Sequence, residues 1–530
     1  MRPPLPRRTL LPVIWVTFAA GLLALRPAPV APPAGPALVV MLTVDQMRGD
    51  YLARFQGQWR GGFRRLLDAG AVFPNGLQDH AITETAPGHS TLLSGRDPAH
   101  TGIIVNSLGV QDSSVELVGM PGSRGASPHR FQGTTLVDWM QRRDPGFRFL
   151  AVSDKDRAAM LPVGRARGPV FWDVGGTFTT STYYSDTLPT WLRAWQARRG
   201  AARLAGTSWT LLRPESEYPE ADAQPWEHDG ADYVFPHRLP DDSLKVARQL
   251  ASYPWMDSLT LDLALDGARA MGLGQRATPD MLVIGLSATD YIGHRYGPDS
   301  REIHDHLLRL DLWLGTFLDS LRTQVGGRPI LLALSADHGV TSFPEFARTQ
   351  GRPGGRIGLG ALVREVNRAL ASRLQDSTVL EESSGLIFGD RARLRAAGVS
   401  PESLATALAA RVWRMPGVQN AWTPATLEGA AVSDLHARRW VRLLPPKFAW
   451  FVAAQAKPGY IWADGPGYAT HGTTNPDDVN VPLAFYGPGI RPGVYPDTVR
   501  TVDIAPTLAR LLRVPTQGKL DGRPIRRVTD

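Results

Sequence analysis

The 530-residue sequence contains no cysteine and only five lysines, Lys155, Lys245, Lys447, Lys457 and Lys519. The lack of cysteine excludes disulfide bonds, thiolate metal sites, a cysteine nucleophile and a lipid-modified N-terminal cysteine. Arginine supplies nearly all of the positive charge behind the net charge of +8, and no long basic run and no RNA-binding or helix-turn-helix signature accompanies it. We therefore expect no nucleic-acid partner.

The N-terminus has the pattern of an export signal. Three arginines within the first eight residues precede an apolar stretch from Leu10 to Leu25, and a segment rich in proline and alanine follows to Pro36. The apolar stretch is long for a signal-peptide core and slightly short for a membrane-spanning helix. We assign residues 1–36 to a signal peptide or N-terminal anchor with its linker, and we expect a periplasmic or secreted protein. Cleavage of this segment and membrane tethering are both open.

From residue 37 onward the pattern is that of an α/β protein. Continuous apolar runs, typical of strands buried on both faces, occur at 37–44, 280–286, 329–334 and 481–486. Helical periodicity occurs between or after them, at Ile303–Leu321, Leu404–Val412 and Asp503–Leu512. We expect one catalytic domain over residues 37–530, with a mainly parallel central sheet flanked by helices. The segments at about 120–275 and 350–455 lack this alternation and are expected to be insertions that cap the sheet.

Carboxylates and imidazoles follow the apolar runs. An aspartate comes after each of the first three runs, and three histidines accompany them: Asp45, Asp290, Asp337, His294, His338 and His471. Open α/β sheets build their sites just beyond the carboxyl ends of such strands. Mixed nitrogen and oxygen donors suit zinc better than calcium or magnesium. Six donors exceed one site, so the sequence predicts two metal ions roughly 4 Å apart, the arrangement used for in-line displacement at phosphorus.

The segment TETAPGHSTLLSG at 83–95 has the pattern of a helix that starts at Thr85. Pro87 suits an early helical position, and apolar residues follow it. A hydroxyl at this place would face free backbone N–H groups and the positive end of the helix dipole, which together hold a phosphoryl anion. Taken alone, Thr85 is better explained as a plain helix cap. Thr83 is the next candidate nucleophile.

Five groups of motifs resemble those of the alkaline phosphatase superfamily. They are VDQMRGDYL at 44–52, TAPGHSTLLSG at 85–95, TDYIGHRYGP at 289–298, SADHG at 335–339, and THGT with NPDDVNVPLAFYGPGI at 470–473 and 475–490. Within the superfamily the sequence is most similar to the phosphate-irrepressible periplasmic alkaline phosphatases, and next to the nucleotide pyrophosphatases/phosphodiesterases. The resemblance implies an alkaline phosphatase-like fold and an enzyme that hydrolyses small-molecule phosphate esters with two Zn²⁺ per chain.

The resemblance also implies roles for the candidate residues. One zinc ion would be held by Asp290, His294 and His471, and the other by Asp45, Asp337, His338 and the Thr85 oxygen. Thr85 would be the nucleophile and would form a phosphothreonine intermediate. Asn106 would bind a nonbridging phosphoryl oxygen. Histidines 80, 89 and 100 are expected to be structural.

Lys155 and Arg157 distinguish the branches of the superfamily. They match a Lys-x-Arg pair with which the monoesterases hold the dianionic phosphoryl group, whereas the diesterases have an uncharged, apolar-lined surface there. A monoester has one more anionic nonbridging oxygen than a diester, so cationic donors aimed at it favour the monoester. Ala86 departs from the related monoesterases, which often have glycine there, and we expect only a local backbone change.

Two other functions would keep much of this set of residues. A phosphodiesterase or nucleotide pyrophosphatase would use the same metals and nucleophile. An inactive metal-binding protein of the same fold would lack a ligand or the nucleophile, and none is missing. A sulfatase is disfavoured, because no C-x-P-x-R or S-x-P-x-R sequence occurs.

Overall fold

The structure is a computed structural model that describes residues 1, 3, 4, 35–374 and 378–530. The predicted export signal, with its apolar stretch from Leu10 to Leu25, lies outside the described residues. Among the residues that are described, none of the helices is both long enough and apolar enough to span a bilayer.

Ten strands, numbered here β1 to β10 in chain order, form the main sheet. Their bounds are Leu38–Val44, Ala71–Leu77, Phe149–Ser153, Val170–Asp173, Phe178–Thr179, Asp280–Leu286, Ile330–Ser335, Asn480–Tyr486, Gly493–Val494 and Val499–Arg500. The order across the sheet is β9-β2-β8-β7-β1-β6-β3-β4-β5, and β10 also pairs with β2. Strands β7, β1, β6, β3 and β4 run parallel to one another, whereas β8 is antiparallel to both of its neighbours.

Helices cover both faces of the main sheet, which explains its continuous apolar strands. Successive side chains of β1 alternate between two cores: Val40 and Leu42 belong to one, and Val39 and Met41 belong to the other. The first core includes helices Gly62–Ala69, Trp255–Ala270, Ala288–Tyr296 and Arg301–Gln324. The second includes helices Thr85–Leu92, Leu136–Arg143, Asp156–Met160 and Ile504–Leu512.

A second sheet, called the small sheet below, lies in the chain between β7 and β8. Its four antiparallel strands are, in spatial order, Leu380–Ser383, Leu386–Gly389, Trp450–Ala456 and Val418–Trp422. Residues of helices Leu359–Leu374 and Pro401–Trp413 share a hydrophobic core with these strands. The small sheet therefore has a core of its own.

The predicted α/β fold with a mainly parallel central sheet is confirmed. The helices predicted at Ile303–Leu321 and Leu404–Val412 are present as Arg301–Gln324 and Pro401–Trp413. The segment 120–275 differs from a pure insertion, because β3, β4 and β5 lie within it. Strand β3 has only five residues and leads at once into the charged residues 154–157, so no long apolar run marks it.

Candidate metal and phosphoryl-binding site

Four neighbouring strands bring the predicted ligands to one edge of the main sheet. Because β7, β1 and β6 are parallel, the residues that follow them, Asp337, Asp45 and Asp290, meet at their carboxyl edge. Strand β8 runs antiparallel beside β7, so the chain enters β8 from this same edge. This explains why His471 precedes its strand although the three aspartates follow theirs.

Asp290, His294 and His471 form a first cluster. Asp290 and His294 lie one turn apart on helix Ala288–Tyr296, and His294 Nε2 is 3.2 Å from Asp290 Oδ1. His471 Nε2 is 3.4 Å from the same oxygen and 3.2 Å from His294 Nε2. One oxygen and two nitrogens therefore converge on one point.

Asp45, Asp337 and His338 form a second cluster, which is fully buried. His338 Nε2 lies 3.5 Å from Asp45 Oδ1 and 3.5 Å from Asp337 Oδ2. Among the described residues, none of these three atoms has a hydrogen-bond partner. Buried polar atoms without partners cost free energy. A cation bound between them would remove that cost, so the second cluster fits a metal ion.

Backbone carbonyls determine which nitrogen of each histidine is available. The Nδ1 atoms of the three rings hydrogen-bond to carbonyls at 2.7, 2.6 and 3.0 Å, in the pairs His294 with Ala469, His471 with Thr83, and His338 with Gly339. Since a carbonyl only accepts, Nδ1 donates, so each ring in its neutral form would present an Nε2 lone pair. Metal-binding histidines are commonly oriented in this way.

The two clusters adjoin each other. The rings of His338 and His471 are stacked, with their centroids 3.6 Å apart. Ligand atoms of Asp290, His338 and His471 all lie within 4.8 Å of one another. His338 is thus within reach of both clusters, and the combined donor set of carboxylates and imidazoles suits zinc.

Burial shifts the pKa values of the side chains in the second cluster. Burial, followed by the nearby Asp337, raises the pKa of Asp45 well above its ordinary value. Burial lowers the pKa of His338 to about 3, so this ring is neutral and keeps its lone pair. A neutral imidazole beside carboxylates is the form in which such side chains bind a divalent metal.

Lys155 lies buried between the two clusters and next to Thr85. Its Nζ donates to Asp45 Oδ2 at 2.7 Å and to Asp290 Oδ2 at 2.5 Å, and it lies 3.4 Å from Thr85 Oγ1. Burial alone would lower the pKa of Lys155, but Asp290 and Asp45 raise it above its ordinary value. The ammonium group therefore stays charged beside the candidate nucleophile.

Helix Thr85–Leu92 begins at Thr85, as the sequence predicts, and Thr85 is 1% exposed. The expected cluster of free backbone N–H groups is only partly present. The Ala86 N–H donates to Asn106 Oδ1 at 2.8 Å, and Pro87 has no N–H to offer. At the start of this helix, the positive end of the helix dipole would therefore attract a phosphoryl anion more than free backbone N–H groups would.

Asn106 lies at the start of this helix with half of its side-chain amide in use. Its Oδ1 accepts the Ala86 N–H, and its own backbone N–H donates to Glu84 Oε2 at 2.8 Å. Its Nδ2 group has no hydrogen-bond partner within the described part of the chain. This group is therefore available to an incoming oxygen.

Thr83 differs from Thr85 because its hydroxyl is already engaged. It donates to the Thr473 carbonyl at 2.9 Å and accepts the Gly472 N–H at 3.1 Å. These bonds join the segment before the helix to the loop that carries His471. Thr83 is therefore a structural residue here.

Arg157 approaches the site without a hydrogen bond to either cluster. Its Nη1 is 3.5 Å from Asp156 Oδ1, and its Nε is buried without a partner among the described residues. Burial would lower the pKa of Arg157, but Asp156 and then Tyr291 raise it above the ordinary value. The guanidinium group is charged, and its contact with a substrate stays a prediction.

Gln46, which the sequence analysis did not single out, links the two clusters. Its backbone N–H donates to Asp337 Oδ1 at 3.1 Å, and its Nε2 donates to Asp290 Oδ1 at 2.6 Å. Its φ of 63° lies in the left-handed region that few non-glycine residues adopt. Gly293 makes room for it, since a Cβ there would lie 1.9 Å from Gln46 Oε1. In the sequence, only the position of Gln46 next to Asp45 hints at this role.

His89 also lies against the second cluster, although the sequence analysis treated it as structural. Its Nδ1 donates to the Thr85 carbonyl at 3.0 Å and lies 3.1 Å from Asp337 Oδ2. The ring therefore packs between the first turn of the helix and a candidate ligand. The spacing of four residues between Thr85 and His89 was the available signal.

Asp478 orders the loop that carries His471. It is buried and accepts hydrogen bonds from the Thr473 N–H at 2.9 Å, the Thr473 hydroxyl at 2.6 Å and the Thr341 hydroxyl at 2.8 Å. These bonds join the chain after Asp337 to the chain before β8. An aspartate seven residues after a histidine carries no signal of this role in the sequence.

Comparison with known proteins defines the class to which this fold and these clusters belong. The sequence model of the type I phosphodiesterase / nucleotide pyrophosphatase family matches residues 39–353. The chain belongs to this family and thereby to the alkaline phosphatase superfamily, and it is an enzyme of that superfamily. The predicted family resemblance is confirmed.

Several relatives match nearly the whole chain. Alkaline phosphatase PhoV of Synechococcus elongatus is 33% identical over 91% of this chain and 90% of its own. Alkaline phosphatase PafA of Elizabethkingia meningoseptica is 30% identical over 99% of both chains. A crystal structure of PafA matches with a TM-score of 0.86 over 94% of this chain and 99% of that chain. A Myroides odoratus protein named calcium-transporting ATPase is 30% identical over 92% of this chain and 94% of its own.

Proposed function

We propose that the chain is a zinc-dependent phosphomonoesterase that releases inorganic phosphate from small-molecule phosphate esters, with Thr85 as its nucleophile. The position of Lys155 carries this proposal, because its buried ammonium lies 3.4 Å from Thr85 Oγ1. A fixed cation at this point favours the substrate with the most negative phosphoryl group. The names of PhoV and PafA agree with this activity.

Two zinc ions per chain are part of the proposal. One would be held by Asp290, His294 and His471, and the other by Asp45, Asp337, His338 and the Thr85 oxygen. Bound zinc would lower the pKa of a coordinated hydroxyl group and neutralise charge on the reacting oxygens. The converging Nε2 lone pairs and the three unpartnered atoms of the second cluster support this assignment.

The residues of the chain account for both halves of the reaction. Thr85 Oγ1 attacks phosphorus while the bond to the ester oxygen breaks, which yields phosphothreonine and an alcohol. The hydroxyl gives up one proton and the leaving oxygen takes up one, so the step is balanced. Water then attacks the phosphothreonine, releases inorganic phosphate and restores the Thr85 hydroxyl.

Lys155 and Asn106 would hold the nonbridging oxygens in both halves. An ammonium group has three N–H donors. Two are directed at Asp45 and Asp290, and the third, now directed at Thr85 Oγ1 at 3.4 Å, would turn to a phosphoryl oxygen when substrate binds. The Nδ2 group of Asn106 supplies a further donor. Arg157 would supply a second positive charge, which adds to the preference for a dianionic monoester over a diester.

Phosphodiesterase or nucleotide pyrophosphatase activity is the second candidate, because the description of the matched family names it. It would use the same clusters and the same nucleophile. ATP is a further test substrate, because its terminal phosphoryl group is as rich in nonbridging oxygens as a monoester. An inactive protein of the same fold would lack a ligand or the nucleophile, and Asp45, Thr85 and the other candidates are all present.

The decisive experiment compares substrates on the purified protein. We expect hydrolysis of p-nitrophenyl phosphate to exceed that of bis-p-nitrophenyl phosphate, with about two zinc ions per chain by mass spectrometry. A preference for the diester would select the second candidate. No metal-dependent hydrolysis of these esters or of ATP would contradict both.

We also propose that the enzyme acts in the periplasm or outside the cell. This rests on the N-terminal pattern of residues 1–36, which is compatible with a cleaved signal peptide and with a membrane tether. Fractionation of cells that express the full chain, followed by N-terminal sequencing, distinguishes the two. Activity confined to the cytoplasm would contradict export.

A further inference from the structure

A turn of the small sheet reaches the candidate site. The hairpin of residues 380–389 turns through Ser384 and Gly385, whose φ angles are 46° and 89°. Positive φ at both central residues is what a type I′ hairpin turn requires. The hydroxyls of Ser383 and Ser384 donate to Glu84 Oε1 at 2.7 and 2.8 Å. The turn therefore contacts the residue that directly precedes Thr85.

Glu84 extends this contact to Asn106. It is 7% exposed, and both of its carboxylate oxygens are in use. Oε1 accepts from the two serines, and Oε2 accepts the backbone N–H of Asn106 at 2.8 Å. Because Asn106 Oδ1 also accepts the Ala86 N–H, this residue is fixed through its backbone and its side chain. Its Nδ2 group is left for a phosphoryl oxygen.

The residue type at position 384 points to a role beyond closing the hairpin. Asn, Asp and Gly are favoured in such turns, because they adopt positive φ at low cost. A serine in this conformation is strained, and strain of this kind concentrates at functional sites. The Ser384 hydroxyl also lies against the loop of His471, since a Cβ at Gly472 would be 2.4 Å from Ser384 Oγ.

We propose that Glu84 is a positioning residue, which holds Asn106 in the orientation that binds the phosphoryl group. The serine turn of the small sheet holds Glu84 in its place. The small sheet would thus complete the phosphoryl-binding site. This inference rests on the proposed function, because it takes Asn106 as a ligand of the substrate. Glu84 itself touches no reacting atom.

A double-mutant cycle on monoester kcat/KM tests the proposal. Asn106→Ala removes one donor to the developing charge and should lower kcat/KM about 100-fold. Glu84→Ala keeps the Asn106 amide donor but holds it less firmly, so we expect kcat/KM to fall about 10-fold. In the Asn106→Ala background the same change should cost less than about 2-fold, because no amide is left to orient. Equal losses in both backgrounds would overturn the inference.

Glu84→Gln separates hydrogen bonding from charge. The amide oxygen can accept the Asn106 N–H, and the amide nitrogen can bond to a serine hydroxyl, so we expect kcat/KM within about 3-fold of the wild type. A loss as large as that of Glu84→Ala would assign the effect to the charge and overturn the proposal. Glu381→Ala, an exposed change on the same hairpin, is the matched control and should have no effect.

The serine turn provides an independent readout. Ser383→Ala combined with Ser384→Gly removes both hydroxyls and gives position 384 a residue suited to positive φ. We expect kcat/KM to be about 3- to 10-fold lower, with only a small change in Tm, because relief of the positive φ at position 384 opposes the loss of two donors to Glu84 Oε1. A lower Tm with unchanged kcat/KM would show a purely structural turn and overturn the proposal.

Zinc content, measured for every variant, should equal that of the wild type, because none of these changes removes a proposed ligand. If the wild type hydrolyses no monoester, or if Asn106→Ala is fully active, the proposed function of Asn106 fails and this inference fails with it. If Asn106→Ala is impaired and the cycle is additive, only the role of Glu84 fails.

Discussion

The main sheet and the small sheet contribute to the candidate site in different ways. The main sheet places the candidate carboxylate and imidazole ligands at the ends of adjacent strands, so their positions follow from the fold itself. The small sheet delivers two serine hydroxyls, which act on Glu84 and reach Asn106 through hydrogen bonds. Under the proposals above, the first contribution would supply reacting and metal-binding groups, and the second would supply orientation. Variants of the two regions should therefore differ in both the size and the kind of their effects.

Removal of metal should have the largest effect, because both clusters of the main sheet depend on it. A strong chelator should abolish activity, and added Zn²⁺ should restore it. The Tm should also fall, because the buried carboxylates lose their counter-charge. Thr85→Ala, treated in parallel, should show the same fall in Tm although it has almost no activity to lose. Full activity in a zinc-free sample would contradict the proposed chemistry.

Thr85→Ala should have the next largest effect. Loss of the nucleophile should lower monoester kcat by at least about 10³-fold while zinc and phosphate still bind. Steady-state kinetics and metal analysis measure this. Thr83→Ala is the matched control, and it should reduce kcat far less because the Thr83 hydroxyl is bonded to the Thr473 carbonyl. Substantial turnover by Thr85→Ala would assign the nucleophile elsewhere.

The double variant Lys155→Ala with Arg157→Ala should have the third largest effect on activity. Each charged donor lost from a desolvated site costs on the order of 2–4 kcal/mol of transition-state stabilisation, so monoester kcat/KM should fall by several decades. The loss should be smaller than the sum of the single effects if the pair acts as a unit. Diester hydrolysis should fall far less. Equal losses for both substrates would mean that the pair supports the metal clusters in general.

Phe451→Ala tests whether loss of packing in the small sheet affects stability without affecting zinc binding. Phe451 is fully buried in that core, so its loss should cost about 3–5 kcal/mol of stability and lower the Tm. Below the Tm, zinc content should be unchanged, and kcat/KM should fall no further than in Glu84→Ala. Phe485→Ala in β8, beside β7, should lose similar stability and also bind zinc more weakly. Equal zinc affinity in both variants would contradict the expectation that only the main sheet supports the metal clusters.

Asp97 lies outside both the main sheet and the small sheet, and Asp97→Asn should have the smallest effect. Burial, followed by Asp521, raises the pKa of Asp97 from 3.8 to about 7. Between these values the folded state holds a proton that the unfolded state releases, so this group makes stability fall as pH rises from about 4 to about 7. Asp97→Asn has no carboxyl at this position and so lacks this fall in stability with pH. Its Tm should rise relative to the wild type across this interval, and its kcat should be unchanged.

The parts of the site that the sequence predicts are those with a local signature. Asp45, Asp290 and Asp337 follow apolar runs, and parallel strands bring such residues together without further information. The start of the helix at Thr85 is likewise marked by Pro87 and the apolar residues after it.

The remaining parts depend on contacts between distant residues. Ser383 and Glu84 are 299 positions apart, and nothing in either segment indicates their hydrogen bond. The partner of the Ala86 N–H was missed for a similar reason, since its acceptor, the Asn106 side chain, lies 20 positions further along the chain. Strand β3 was missed because it is short and its pairing with β6 compensates for a weak pattern.

Gly293 and Gln46 form a pair in which a change at one position affects the other. A Cβ at position 293 would lie 1.9 Å from Gln46 Oε1, so alanine there requires the Gln46 side chain to move or a shorter residue at position 46. Either adjustment would take a donor away from Asp290. In a library randomised at both positions and selected for turnover, survivors should keep the native combination. Protein engineers should treat the two positions as one unit.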